Sequence, residues 1–181
     1  MIVISPAKRQ NESSHLSCVS QPQHLVQTKE ILDDISGWSV DDTKRALNLS
    51  EALSYEAYDK NQALANSAFD PAKAISALGM YVGDVYKFLD VPSLSEKEID
   101  FLQNELRIIS AMYGLLRPLD GIWPYRLEMG SKLPNHNSLV EYWKAHVTDA
   151  IVLEAPEFII NLASQEYSSC IDTSHISKMI D

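Results

Sequence analysis

The stretch S-A-M-Y-G-L-L-R-P-L-D-G-I-W-P-Y-R-L-E-M-G, residues 110 to 130, concentrates special backbone geometry and chemistry in one place. It holds three glycines (Gly114, Gly121, Gly130), two prolines (Pro118, Pro124), Arg117 and Arg126, Asp120 and Glu128, Tyr113 and Tyr125, and Trp123. The chain N-terminal to it reads as the helix that delivers it. Ser95-Glu96-Lys97-Glu98 matches a capping box. Ile99, Leu102, Leu106, Ile109 and Met112 or Tyr113 then recur at helical spacing, and Gly114 stands where a left-handed C-cap is wanted, so a helix from Ser95 to Tyr113 is expected. With Gly114 as the turn, this helix and later ones would form a helix-hairpin-helix-like element. C-terminal to the stretch, Ser138 caps an expected helix through Leu153 with Leu139, Tyr142, Trp143, Val147, Ala150 and Ile151 inward, and Phe158–Leu162 reads as a buried strand after Pro156.

Further out, Met1–Ile4 is a short β-branched run closed by Ser5-Pro6, which suits a buried strand. Residues 10 to 24 are polar and without period, hence a surface loop. Short helices are expected from Thr28 to Ile35 and from a Ser39 cap to Leu47. A longer one should run from a Ser50 cap to about Ala68, with Leu53, Ala57, Tyr58, Leu64 and Ala65 inward. Asp70-Pro71 is a helix-start signal, and Ile75–Tyr81 reads as a strand ending at Gly83-Asp84. Tyr167 to Asp181 is polar and shows no closing element. Strands and helices mixed in this order indicate one α/β (mixed α+β) domain over residues 1–181, with a central sheet flanked by helices.

The 181 residues are 45% hydrophobic and 22% charged, as in globular domains, and the formal net charge is −10. That balance excludes a wholly basic nucleic-acid binder, because sequence-independent affinity comes from Lys and Arg neutralising phosphates. A local patch remains compatible, since the acid is concentrated in residues 31–92 and 151–181. Cys18 and Cys170 are far apart and read as free thiols of a reducing compartment. No signal peptide and no run of 18 apolar residues is visible, so a cytoplasmic protein without membrane contact is expected.

Arg117 and Arg126, on a loop braced by glycine and proline, can grip a phosphate or carboxylate, and neighbouring Tyr125 can stack on a base. Internal pairing of these arginines with Asp120 and Glu128 competes with that reading. Ser5-Pro6-Ala7-Lys8 places a hydroxyl and an ammonium at a strand's carboxyl end, where open α/β sheets collect ligands. Gly83-Asp84-Val85-Tyr86 adds Asp84, either a site acid or a turn former. Asn161-Leu162-Ala163-Ser164 with Glu166-Tyr167 adds further polar groups. None of His15, His24, His136, His146 and His175 has metal-ligand spacing or sits in a triad motif, and the glycine-rich phosphate loops are absent, so neither metal nor cofactor is expected.

Taken together, I-S-P-A-K (4–8), G-D-V-Y (83–86), Y-G-L-L-R-P-L-D (113–120), P-Y-R-L-E-M-G (124–130) and I-N-L-A-S-x-E-Y (160–167) resemble the YaaA family of bacterial peroxide-stress proteins over nearly the whole chain. The resemblance implies a protein that limits peroxide and iron-mediated damage, with a fold particular to the family and a positively charged cleft binding duplex or branched DNA. By motif match, Lys8, Arg117 and Arg126 would line that cleft, with Ser5, Asp84, Tyr86, Asp120, Tyr125, Glu128, Asn161 and Ser164 nearby and no assigned catalytic residue. A monomer is expected. Val82 and Gln165 replace a usual lysine and acid, and a basic C-terminal segment of the family has no counterpart, so the chain reads as a member lacking its C-terminal part. The alternatives are an enzyme acting on a nucleotide or nucleobase-like small molecule in the same cleft, with Asp84 or Asp120 moving the proton, and a truncated family member without function.

Overall fold

The computed structural model describes residues 1–135, 138–176 and 178–181; His136 lies outside the described residues. The β-branched run Ile2–Ile4 (β1) is the middle strand of a five-stranded sheet, with Val3 and Ile4 buried. It pairs in parallel with Leu106–Ser110 (β5) on one side and Ile159–Asn161 (β8) on the other. Gly114–Leu116 (β6) runs antiparallel along β5, and Met179–Ile180 (β9) runs parallel along β8 as the opposite edge.

Between β1 and β5 the chain forms Arg9–Gln10 (β2) and the helices Leu25–Ser36 (α1), Val40–Leu47 (α2) and Glu51–Ala65 (α3). The segment 75–82 and the helices Asp84–Leu89 (α5) and Glu96–Glu105 (α6) follow. Gly121–Ile122 (β7), Leu139–Glu154 (α7) and Gln165–Ser168 (α8) complete the order. The expected caps act where the chemistry allows. The Ser39 hydroxyl accepts from Asp42 N while the Asp42 carboxylate accepts from Ser39 N, Ser95 and Glu98 form the same box, and the Ser138 hydroxyl accepts from Glu141 N. Ser50 caps without a side-chain bond, and Asp70 opens only a 3-10 turn, Pro71–Lys73. The first long helix starts at Leu25 rather than Thr28, whose buried side chain bonds the Met112 carbonyl at 2.9 Å.

Several expectations are corrected. The helix expected to Tyr113 stops at Glu105; Leu106-Arg-Ile-Ile-Ser110 is a strand buried along its whole length and paired on both sides. A continuous buried run fits either element by pattern, and here two open ladders claimed it. Gly114 therefore does not cap a helix. It sits at φ +70° on the far side of a tight turn, paired with Ser110, so the glycine turn is a β-hairpin and not a helix-hairpin-helix. A Cβ at Gly114 would lie 2.5 Å from the Trp143 ring, so the position needs glycine for space as well as for φ.

The expected strand Ile75–Tyr81 is broken into Ile75–Ser76 (β3), a helical turn Ala77–Met80 (α4) and Tyr81–Val82 (β4). Ala77 N and Leu78 N donate to the carbonyls of Asp120 and Pro118, which bends the chain around the central loop. β3 pairs with β7 and β4 with β2, so two small ribbons fix that loop against the N-terminal segment. In α3 the inner face is Ser54, Ala57, Asn61 and Leu64, whereas Leu53 and Ala65 are exposed. In α7 the expected inner residues are buried except Tyr142, which is half-buried. β8 is shorter than expected and its flanks Phe158 and Leu162 are exposed. The terminal stretch carries a strand after all, β9.

Candidate functional site

The carboxyl ends of β1 and β8 lie side by side because the strands are parallel and paired, which brings Ser5 and Ser164 together. Ser164 N donates to the Ser5 hydroxyl at 2.9 Å, and the two hydroxyls are 3.3 Å apart. From below, the Tyr86 hydroxyl donates to the Ser5 carbonyl at 2.9 Å, which fixes the strand exit. A cavity of about 220 Å³ opens above these serines, lined also by Lys8, Gln10, Tyr125, Arg126, Glu166 and Tyr167.

Arg126 reaches this cavity because its backbone is held from both sides. Asn61, buried on the inner face of α3, accepts from Arg126 N at 2.8 Å and donates to the Arg126 carbonyl at 2.9 Å. Tyr125 is fixed in turn by Gln10, which accepts its N–H at 3.1 Å, and by its own hydroxyl, which bonds Ser110 at 2.8 Å and Tyr81 at 3.0 Å. Burial raises the pKa of Tyr81, Tyr86 and Tyr125, so these phenols stay neutral. Two cations converge on one carboxylate: Lys8 Nζ lies 2.8 Å from Glu128 Oε2, and Arg126 Nη2 lies 2.7 Å from Glu128 Oε1. Arg126 Nε is buried and makes no hydrogen bond. Glu166, the other acid on the wall, accepts from Gly130 N at 3.0 Å.

Lys8, Arg126, Glu128, Ser5, Tyr125, Tyr86 and Ser164 thus form one constellation. Asn161, at the end of β8, spends its side chain on Ala163 N and on Asp181. Arg117 and Asp120 go elsewhere, to a second depression of about 130 Å³ with Ser20, Arg107 and Glu154. There Asp120 accepts from Arg117 N at 2.8 Å and from the Ser20 hydroxyl at 2.5 Å, and burial raises its pKa against the pull of those bonds and of Arg117 and Arg107. Arg107 and Glu154 form a bidentate pair beneath it, with Arg117 3.6 Å from the same carboxylate. Asp84 is exposed, 3.4 Å from Lys87, and lines neither depression.

The competing expectation of internal pairing therefore holds for Arg126 with Glu128, while Arg117 turns to Glu154 and meets Asp120 only through its backbone. A larger cavity, about 440 Å³ between the 11–15 loop and α5, carries Lys87 and His15 but, among its lining residues, no converging pair of cations, so the cavity at Lys8 and Arg126 is the candidate site. Gln10 and Asn61 escaped the sequence reading. The available signal for Asn61 was an asparagine set between Ala57 and Leu64 on the inner stripe of α3.

Among the described residues no group of three or more His, Cys, Asp or Glu is placed to hold a metal, and no helix is long and apolar enough to cross a membrane. The family model described as peroxide stress protein YaaA matches residues 1–181. Among curated relatives, UPF0246 protein FP0718 of Flavobacterium psychrophilum is 36% identical over 181 residues, which span 97% of this chain and 71% of the relative. A UPF0246 protein of Flavobacterium johnsoniae is 37% identical over 94% of this chain and 70% of its own. One from Francisella tularensis subsp. mediasiatica is 33% identical over 98% and 72%. A match along the whole chain, at these identities and coverages, places the molecule: it belongs to the YaaA family of peroxide stress proteins.

Proposed function

We propose that this family member protects nucleic acid during peroxide stress by holding backbone phosphates at the Lys8–Arg126 site. The observation that carries the reading is the convergence of an ammonium and a guanidinium, both lining an open cavity, on the single carboxylate of Glu128. Lys8 and Arg126 are balanced by Glu128 and Glu166 on a chain of net charge −10, so the reading rests on geometry rather than on net charge: arginine's planar fork with lysine's point charge matches the oxygens of a phosphodiester. Lys8 is 65% exposed and Arg9 beside it is exposed, so the cationic rim is open to a large ligand. Arg117, half exposed at the second depression, is a further contact for a duplex, whose phosphates extend beyond one cavity. Occupied phosphates no longer hold ferrous iron beside the bases, where it would reduce hydrogen peroxide to hydroxide and hydroxyl radical and itself become ferric; in this way the contact limits iron-mediated damage.

A nucleotide-sized ligand in the same cavity is the second reading, favoured by the Tyr125 and Tyr167 side chains in its wall. In that reading Glu166 in the lining, with Glu128 behind Lys8 and Arg126, and not Asp84 or Asp120, supplies the acid within reach. Fluorescence anisotropy with labelled duplex and branched DNA tests the first reading. Binding should weaken with Lys8→Ala, Arg126→Ala and Arg117→Ala, and affinity indifferent to all three would reject it. A melting-temperature rise with mononucleotides, in the absence of DNA binding, would select the second.

A further inference from the structure

Glu128 occupies the position that an anionic ligand should take. Its two carboxylate oxygens are divided between the two cations, Oε2 on Lys8 at 2.8 Å and Oε1 on Arg126 at 2.7 Å, which is how a bound phosphate would present two of its oxygens. The bonds to Ser131 hold only the Glu128 backbone, whose N–H donates to the Ser131 hydroxyl at 3.2 Å and whose carbonyl accepts from Ser131 N at 2.9 Å, and leave the carboxylate to the two cations. The Arg126 guanidinium keeps unused capacity, since Nε is buried without a hydrogen-bond partner, an arrangement that costs free energy until a better acceptor arrives. Meanwhile Asn61 fixes the Arg126 backbone independently of Glu128, so the side chain keeps its origin beside the cavity when the carboxylate leaves. The Lys8 end of the arrangement is open to solvent, with its side chain 65% exposed, so an incoming anion can approach Glu128's partners from that side.

We infer that Glu128 is a built-in stand-in for the ligand's phosphate, an autoinhibitory carboxylate that must swing away from Lys8 and Arg126 before an anion binds. The inference rests on the reading of the cavity as a phosphate site and adds its regulation. Glu128 sets a threshold: a weak monovalent anion such as chloride does not displace it, whereas a phosphate group carrying more charge and more acceptor oxygens does. Release of Glu128 also frees a negative side chain near the mouth, where it repels any second anion.

The test is titration of the full chain with inorganic phosphate, and separately with a short DNA duplex, for wild type, Glu128→Gln, Glu128→Ala and Arg126→Ala, each first checked for a cooperative melt. Glu128→Gln keeps the shape and removes the charge, and should bind phosphate about tenfold more tightly than wild type. Glu128→Ala should do the same, which keeps the test alive if the glutamine variant folds poorly, and Arg126→Ala should lose binding. If wild type binds phosphate but neither Glu128 variant binds more tightly, the stand-in role is wrong while the phosphate site survives. If no variant binds phosphate or DNA, the underlying reading fails and this inference with it.

Discussion

Asn61→Leu tests whether the candidate site depends on α3. The side chain is buried, 3% exposed, between Ala57 and Leu64 on the inner face; leucine keeps its branched four-atom skeleton, and its bulkier methyls add a packing cost on top of the hydrogen-bond loss. What is lost is the pair of bonds to Arg126, at 2.8 Å to its N–H and 2.9 Å to its carbonyl. Both backbone groups are partly buried and would be left without their partner. At about 1–3 kcal/mol for each orphaned group, and toward the low end because solvent can reach them in part, the expected loss is about 2–4 kcal/mol. Urea unfolding followed by circular dichroism reads this as a lower midpoint at unchanged slope. Phosphate affinity, measured well below the midpoint, should also fall, because Arg126 loses its fixed origin. A loss below about 0.5 kcal/mol with phosphate binding intact would refute the claim that Asn61 positions Arg126.

Gly114→Ala should destabilise by about 2–4 kcal/mol in the same assay, because it combines a φ of +70° with a Cβ 2.5 Å from the Trp143 ring. Arg107→Met should cost about 3 kcal/mol, since Glu154 would keep only the long contact from Arg117, whereas Arg117→Met should cost less than about 1 kcal/mol. Burial, with His146 nearby, lowers the His24 pKa from 6.5 to about 4. The unfolded chain therefore binds the extra proton between those values: this site's contribution is complete above pH 6.5, is lost as the pH falls, and reaches its floor below about pH 4. For a partly exposed ring the loss should be about 1–2 kcal/mol, and pH-dependent melts of His24→Gln should lack that slope.

The first strand, the caps and the polar groups at the strand ends were legible because each rests on local chemistry. Ile2–Ile4 is β-branched and bounded by Ser5-Pro6, and Ser39, Ser95 and Ser138 satisfy donors within their own first turns. The errors fall where tertiary partners decide. Leu102, Leu106 and Ile109 share helical spacing, yet Leu106 begins a strand because β1 and β6 offer it ladders on both sides, which no window of sequence contains. Ile75–Tyr81 is pleated only at its ends because carbonyls some forty residues away capture Ala77 N and Leu78 N. The same limit applied to the site. Ser5, Lys8, Arg126, Glu128 and Ser164 could be named one by one, but the separation of Arg117 from Arg126 depends on the direction of the chain after Pro118. The service of Asn61 to Arg126 crosses from a helix to a loop with no local trace.

The claim at the centre is that Lys8 and Arg126 hold nucleic-acid phosphate. The most direct measurement is the salt dependence of duplex DNA binding for wild type and for Lys8→Ala/Arg126→Ala. Two lost phosphate contacts should lower the slope of log K against log salt by about two, with affinity falling uniformly across sequences. A slope and affinity unchanged in the double variant would contradict it.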